Sequence, residues 1–305
     1  MNTPKWIDVP KPVSDDQVQD YVRDGFLVVP DLIEPGELGE LKSDTLKLAR
    51  GGYDTESIKP LPASMSDEDA LGRILCIHQP HYVSDVMLKY VGHAKVAGVL
   101  SQITAAHLPI WDGSVKCMQS MLFVKPPGFQ GQAWHQDEIY IPTRDRSLIG
   151  AWIAIDDATV ENGCLWILPG SHRDGFLYDQ RDHKKPEEFD FAGESFGFDD
   201  SEEVPVEVKA GAVVFFNGHL LHRSRKNRSG INRGVLVNHY MNAWSRLPWG
   251  VDEGESPARA DKRCVVMVAG GDPYAEKGYD DSPKNVYLRT CKAVDELVDV
   301  QLGGA

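Results

Sequence analysis

The stretch Gly211-Ala212-Val213-Val214-Phe215-Phe216-Asn217-Gly218-His219-Leu220-Leu221-His222-Arg223-Ser224 carries the reading of this chain. Ala212 to Phe216 is a short apolar run held between Gly211 and Asn217-Gly218, the composition of a buried strand that ends in a turn. Lys116 to Lys125, Leu148 to Asp156, Cys164 to Leu168, Val204 to Val208 and Gly234 to Tyr240 have the same character, with Pro, Gly or Asn at their borders. Asn162-Gly163 reads as a hairpin turn. Upstream the period changes. Ser14 to Asp24 reads as a helix with Ser14 as N-cap and Val18, Tyr21 and Val22 on one face. Glu34 to Arg50 reads as a second, with Pro35 in its first turn, Leu38, Leu41 and Leu48 on one face, and Thr45 interrupting that stripe. Tyr53 to Asp69 reads as irregular, Gly72 to Tyr82 as a loop, and Val83 to Ala106 as mostly helical. Helices first and many short strands after predict a mainly β protein: a helical layer packed outside a sandwich or barrel.

Upstream of the opening stretch lies Trp134-His135-Gln136-Asp137. In an extended strand, residues two apart share a face, so His135 and Asp137 can offer an imidazole and a carboxylate to one ion. His222 is the candidate third ligand, with His219 as its rival three residues earlier. Two His and one carboxylate on one face of a metal leave positions open, the arrangement of non-haem Fe(II) oxygenases. Arg233, eleven residues after His222, suits the far carboxylate of a bidentate co-substrate, because a guanidinium pairs with a carboxylate in a planar fork. His172 follows Pro169-Gly170 and reads as a loop cap. His239 shares the strand parity of Arg233 and reads as a core histidine in preference to a pocket residue. Trp134, Trp166 and Phe215 read as packing.

The remaining composition bounds the answer. The chain has 305 residues, with 32 Lys and Arg against 46 Asp and Glu, a formal charge of −14. That charge disfavours general nucleic-acid binding, which needs a basic footprint. No run approaches the roughly 18 apolar residues of a membrane span. Cys76, Cys117, Cys164, Cys264 and Cys291 are odd in number and include no Cys-x-x-Cys pair, so each reads as a small buried hydrophobe. Met1 to Pro12 lacks the apolar core of a secretory signal, and the two observations together predict a cytoplasmic protein. Eight acidic residues and no basic one lie between Pro186 and Glu203, which reads as a mobile insertion or a lid. Arg223, Arg225, Lys226 and Arg228 form a basic cluster beside the proposed ligand. It reads as a solvated turn, with an anionic substrate at the pocket mouth as the sharper alternative.

The chain resembles the phytanoyl-CoA dioxygenase family of Fe(II)/2-oxoglutarate-dependent oxygenases. The resemblance runs through Asp24-Gly-Phe-Leu-Val-Val-Pro-Asp-Leu, Met121-Leu-Phe-Val-Lys-Pro-Pro-Gly, Trp134-His-Gln-Asp, Ala151-Trp152, Asn162-Gly-Cys-Leu, Leu168-Pro-Gly-Ser-His172 and His222-Arg-Ser-x-x-Asn227, and ends on Arg233. It implies His135, Asp137 and His222 as iron ligands, and Arg233 and Ser224 as holders of the 2-oxoglutarate carboxylate. It also implies Trp152 and Met121 as walls of that pocket. The implied fold is the double-stranded β-helix, a jelly-roll, cupin-like barrel.

The expectation is one domain over residues 1–305: a helical layer at 14–106, a barrel core at about 115–242 with an insertion at 173–203, and an extension at 243–305 that closes on a short helix near Thr290 to Val300. The expected activity is hydroxylation of a small organic substrate with Fe(II), 2-oxoglutarate and O2, and ascorbate as an activator. Asp137 argues against halogenation, since a halide needs the position that the carboxylate fills. A cupin-like Zn or Mn hydrolase or isomerase without 2-oxoglutarate, and a non-catalytic binding protein, are the alternatives. Arg233 and Ser224 argue against the first, and the intact triad against the second. Substrate contacts are expected from Gly72 to Tyr82, Glu138 to Ser147, Phe176 to Ser201 and the C-terminal segment. Substrate identity and oligomeric state are not legible.

Overall fold

A computed structural model describes residues 7–104, 106, 112–247 and 264–291. The N-terminal elements match the sequence closely. Helix α1 (Asp15–Asp24) is capped by Ser14, whose side chain accepts from the Gln17 amide while the Gln17 side chain returns the bond, and Gly25 ends it. Strand β1 (Phe26–Val29) follows, then α2 (Pro35–Ala49). Thr45 is buried inside the apolar face of α2 and its hydroxyl donates to the Leu41 carbonyl at 2.8 Å, so the polar group is satisfied within the helix. Next come α3 (Asp67–Gly72) and β2 (Ile74–His78). The expected single helical run from Val83 is two helices, α4 (Asp85–Val91) and α5 (Ala94–Ile103), parted at Gly92-His93.

The strands that follow are β3 (Val115–Lys125), β4 (Ile149–Ala154), β5 (Leu165–Ile167), the two-residue pair β6 (Gln180–Arg181) and β7 (Glu194–Ser195), β8 (Val204–Val206), β9 (Val213–Asn217), β10 (His222–Ser224), β11 (Arg233–Asn242), β12 (Val266–Ala269) and β13 (Tyr287–Thr290). The major sheet runs β1-β9-β4-β11-β3-β2-β13, with β12 also on β3, and every pair is antiparallel. The minor sheet is β10-β5-β8.

Register explains the layers. Partners across an antiparallel ladder point to the same side. The row Val28–Val214–Trp152–Val237–Met121–His78 faces the minor sheet. There Trp152, Val214 and Val237 pack with Leu165, Ile167 and Val206 in one apolar cluster. The alternate residues, including Leu27, Val213, Ile153, Leu236 and Leu122, point outward and pack with Tyr21, Leu41, Tyr90 and Leu100 of the helices. The expected helical layer outside a β core is therefore correct, and the double-stranded β-helix is built as two facing sheets.

Four expectations fail. Asn162-Gly163 is a turn, with Gly163 at φ 83°, but it does not make a hairpin. β4 before it pairs with β9 and β11, while β5 after it pairs with β10 and β8, so the turn carries the chain from one sheet to the other. Gly72 to Tyr82 is not a loop. Ile74-Leu-Cys-Ile is a continuous apolar run buried on both faces, and it pairs β3 on one side and β13 on the other. Asp67–Gly72 is a helical turn in place of the end of an irregular segment. Thr290 closes a strand and does not open a helix; the remainder of that expected helix, from residue 292, lies outside the described residues. No disulfide forms among the described residues, and Cys76, Cys117, Cys164 and Cys291 are buried.

Candidate metal centre and co-substrate pocket

The minor sheet and its approach deliver the candidate metal ligands. His135 forms an isolated antiparallel bridge with His222, each backbone N–H donating to the other's carbonyl at 3.0 and 3.1 Å. The ladder stops there. Gln136 is still extended, but Asp137 opens a 3-10 turn, Asp137–Ile139. The face-sharing argument thus holds for His135 and Asp137, although the expected strand does not continue through Asp137. One ligand atom from each of His135, Asp137 and His222 lies within 4.8 Å of the others. The Nε2 atoms of His135 and His222 stand 3.7 and 3.6 Å from Asp137 Oδ1.

The donor chemistry fits a divalent cation. His135 Nδ1 lies 2.8 Å from the Ala133 carbonyl, and His222 Nδ1 lies 2.9 Å from the Leu220 carbonyl. A carbonyl only accepts, so in each neutral ring the proton sits on Nδ1 and the Nε2 lone pair points at the site. Burial, helped by His222, pulls the His135 pKa down to about 3, so this ring is neutral at pH 7. Burial pushes the Asp137 carboxyl upward, but His222, His239 and His135 outweigh it and hold it well below the usual range. His239, which the sequence reading assigned to the core, is buried and also lines this cavity. Its Nε2 donates to Asp137 Oδ2 at 3.0 Å, leaving Oδ1 for the ion. His219 is buried but lies outside the ligand group. His172 Nε2 lies 3.1 Å from the Val22 carbonyl, the loop-capping role expected of it. Gln136 points away from the ion: its amide donates to the Phe176 and His219 carbonyls and accepts from the Tyr178 amide, fixing the turn that presents its neighbours.

All seven sequence candidates line one cavity of about 490 Å³: Met121, His135, Asp137, Trp152, His222, Ser224 and Arg233. Arg233 is 3% exposed, with Nη1 donating to the Gly163 carbonyl at 2.8 Å and its guanidinium carbon 5.3 Å from the Trp152 ring centroid. Its Nε is buried without a hydrogen-bond partner. Burial draws its pKa down to about 10, so it stays cationic at neutral pH. Lys125, which the sequence reading passed over inside Met121-Leu-Phe-Val-Lys125, is in register with Arg233 and equally buried. Its Nζ donates to Ser224 Oγ at 2.9 Å and to the Arg225 carbonyl at 2.8 Å, and burial beside Arg233 pulls its pKa well down. Ser224 Oγ accepts from Lys125 and from the Gln132 amide, so its own O–H is left to donate. The Arg233 guanidinium, the Lys125 amino group and the Ser224 hydroxyl together are a donor set suited to a carboxylate.

The basic cluster outside does a different job. Arg223 and Arg225 both donate to Glu203, at 2.5 to 2.7 Å, and Arg228 donates to Glu188. The acidic segment from Pro186 to Glu203 is thereby clamped to β10 and the turn after it. Arg223, Arg225 and Arg228 are thus each paired with one of this chain's own carboxylates. Trp134 and Trp166 pack, and each carries an arginine over its ring, Arg223 at 4.5 Å and Arg225 at 4.1 Å.

Comparison with known proteins agrees with this geometry. The family model described as Phytanoyl-CoA dioxygenase (PhyH) matches residues 21–235. Phytanoyl-CoA dioxygenase 1 of Oryza sativa subsp. japonica is 33% identical over 177 residues, covering 56% of this chain and 60% of that protein. Phytanoyl-CoA dioxygenase domain-containing protein 1 of Danio rerio is 38% identical over 142 residues, covering 43% and 48%. The match therefore spans about half the length of these relatives. In fold, the chain is similar to the epimerase SnoN in complex with Fe3+, alpha ketoglutarate and nogalamycin RO, with a TM-score of 0.59, 20% identity, and coverage of 81% of this chain and 93% of that one. On the family match over residues 21–235, the chain belongs to the phytanoyl-CoA dioxygenase family.

Proposed function

We propose that this protein is an Fe(II)- and 2-oxoglutarate-dependent dioxygenase that hydroxylates a small organic substrate, coupled to decarboxylation of 2-oxoglutarate to succinate and CO2. The observation that carries the reading is the shared cavity. A two-histidine, one-carboxylate donor set stands at one place in it, and Arg233, Lys125 and Ser224 stand at another. Iron, when bound, supplies dioxygen activation. The chain's own residues do the rest. His135, Asp137 and His222 would hold the metal. Arg233, supported by Ser224 and Lys125, takes the far carboxylate of the co-substrate and so sets its orientation. Trp152 lies beneath the guanidinium, and with Met121 and Val237 it lines this end of the cavity with apolar surface that excludes water. His239 keeps its Nε2 proton on Asp137, which fixes the carboxylate's rotation.

Arg233 and Lys125 weigh against a hydrolase or isomerase that uses the same triad without 2-oxoglutarate. Neither has a carboxylate hydrogen-bond partner among the described residues, although both are buried. Asp137 fills the position that a halide would need. The compartment we propose is the cytoplasm; no helix among the described residues is long and apolar enough to cross a membrane. The test is succinate formation from 2-oxoglutarate by the Fe(II)-loaded protein with ascorbate under air. Turnover, even uncoupled, is expected, and its absence in protein shown to hold iron would sink the proposal.

A further inference from the structure

Strand β13 lies beyond the residues that the family model matches, yet it contributes to the cavity. Arg289 on β13 is in register with Cys76 of β2, which is in register with Phe123 of β3. Its side chain therefore points to the cavity face, along the major sheet from the Arg233 end, and is 17% exposed. Nη2 donates to Asp190 Oδ2 at 3.1 Å, and the guanidinium carbon lies 5.0 Å from the Phe191 ring centroid. The ring and the carboxylate fix the plane of the guanidinium. Among the described residues its buried Nε has no partner. On the neighbouring strand, the Nε2 of His78 is buried and also has no partner among the described residues. Burial and the charge of Arg289 keep His78 neutral, with a pKa near 4, so it can donate or accept without adding charge.

Two buried polar atoms with no protein partner on one wall of a cavity are costly unless a ligand satisfies them. Arg223, the other cationic wall residue away from Arg233, faces both Glu203 and Asp200, whereas Arg289 meets one carboxylate. Asp190 is itself engaged, since its Oδ1 accepts from the Ala192 amide at 3.0 Å. Around Arg289 the wall is apolar, formed by Leu75, Phe123 and Phe191. We infer that Arg289, assisted by His78, recognises the substrate, and that this substrate is a monocarboxylate on an apolar body. The inference rests on the oxygenase reading only in taking this cavity as the substrate site.

The test is a calorimetric titration of matched acids and amides, octanoate against octanamide and 4-phenylbutyrate against 4-phenylbutanamide. The protein is loaded anaerobically with Fe(II) and with saturating 2-oxoglutarate, so that the Arg233 end is filled. The wild-type protein should bind at least one acid about tenfold or more tightly than its amide, a comparison that needs no substitution. Arg289→Gln should weaken that acid by about 10- to 100-fold, the range for losing a hydrogen bond to a charged group, and leave the amide unchanged. Arg289→Lys should fall between. Acids and amides bound alike, an acid preference that survives in Arg289→Gln, or no acid bound at millimolar concentration would each overturn the inference. The titration requires no turnover, so its failure is distinct from failure of the succinate assay.

Discussion

Replacing His239 with Phe tests how much of the metal centre is set from outside its ligands. His239 is 3% exposed, and its Nε2 is the hydrogen-bond donor to Asp137 Oδ2, at 3.0 Å. Phe fills similar volume and removes the donor. Asp137 then keeps one buried oxygen without its bond, and its carboxylate is free to turn. A hydrogen bond to a charged group contributes about 1.5–3 kcal/mol, which corresponds to roughly 10- to 150-fold in a dissociation constant. Loss of a partner that orients a metal ligand falls in the same range, about 10- to 100-fold in metal affinity. We therefore expect His239→Phe to weaken Fe(II) binding by about 10- to 100-fold. His239→Gln, which can still donate, should recover part of it. The assay is an anaerobic Fe(II) titration by calorimetry, with the melting temperature of the metal-free protein measured alongside. Metal affinity within twofold of wild type, in a variant that melts normally, would refute the assignment of His239 as the residue that positions Asp137.

Arg233→Ala should raise the 2-oxoglutarate concentration needed for succinate formation by at least tenfold while Fe(II) still binds; equal activity would show that the carboxylate lies elsewhere. Gly131→Ala should destabilise the protein by about 1–3 kcal/mol, the usual cost of overpacking. A Cβ at Gly131 would stand 1.9 Å from the Ser224 carbonyl oxygen, forcing the segment that leads to His135 away from β10; an unchanged urea midpoint would contradict that packing. Acid should destabilise the metal-free protein. Burial lowers His81 and His219 to about 4 from an ordinary 6.5, so the unfolded chain binds more protons between those values. Their stability contribution is complete above pH 6.5 and is lost as the pH falls toward 4. A melting temperature that stays flat from pH 7 to 4.5 would be the contrary result.

Much of this was legible because the period of the sequence maps onto layers. Short apolar runs bordered by Gly, Pro or Asn marked β4, β9 and β11 as buried strands, and Ser14 and Gly25 marked a helix by their local chemistry. His135, Asp137, His222 and Arg233 were legible as residue types with a chemical demand, Ser224, Trp152 and Met121 only through the family resemblance, and all seven line one cavity. What escaped was pairing at a distance. Ile74 to Ile77 has no alternation, since it is covered on both faces, and only its neighbours β3 and β13 reveal it as a strand. Asn162-Gly163 has the local chemistry of a hairpin, but a turn does not say which strands it will join. His239 and Lys125 occupy strand positions whose parity was readable, yet their roles depend on Asp137 and Ser224, which are remote in sequence. The pairing of the basic cluster was hidden for the same reason, because its partners Glu203 and Glu188 sit in a different segment.

The bridge between His135 and His222 changes what a metal does for this protein. Two backbone hydrogen bonds bring the histidines together, and carbonyls from the chain just before each of them set their rings. The ordering of ligands is thus completed when the chain folds, and little is left for the ion to organise. On the proposed reading, iron would add stability as the logarithm of its free concentration above its dissociation constant, while the backbone bridge would hold the two histidines together without it. Periods of iron scarcity would then idle the protein without unmaking it, and restored supply would return activity on the timescale of binding, with no new synthesis.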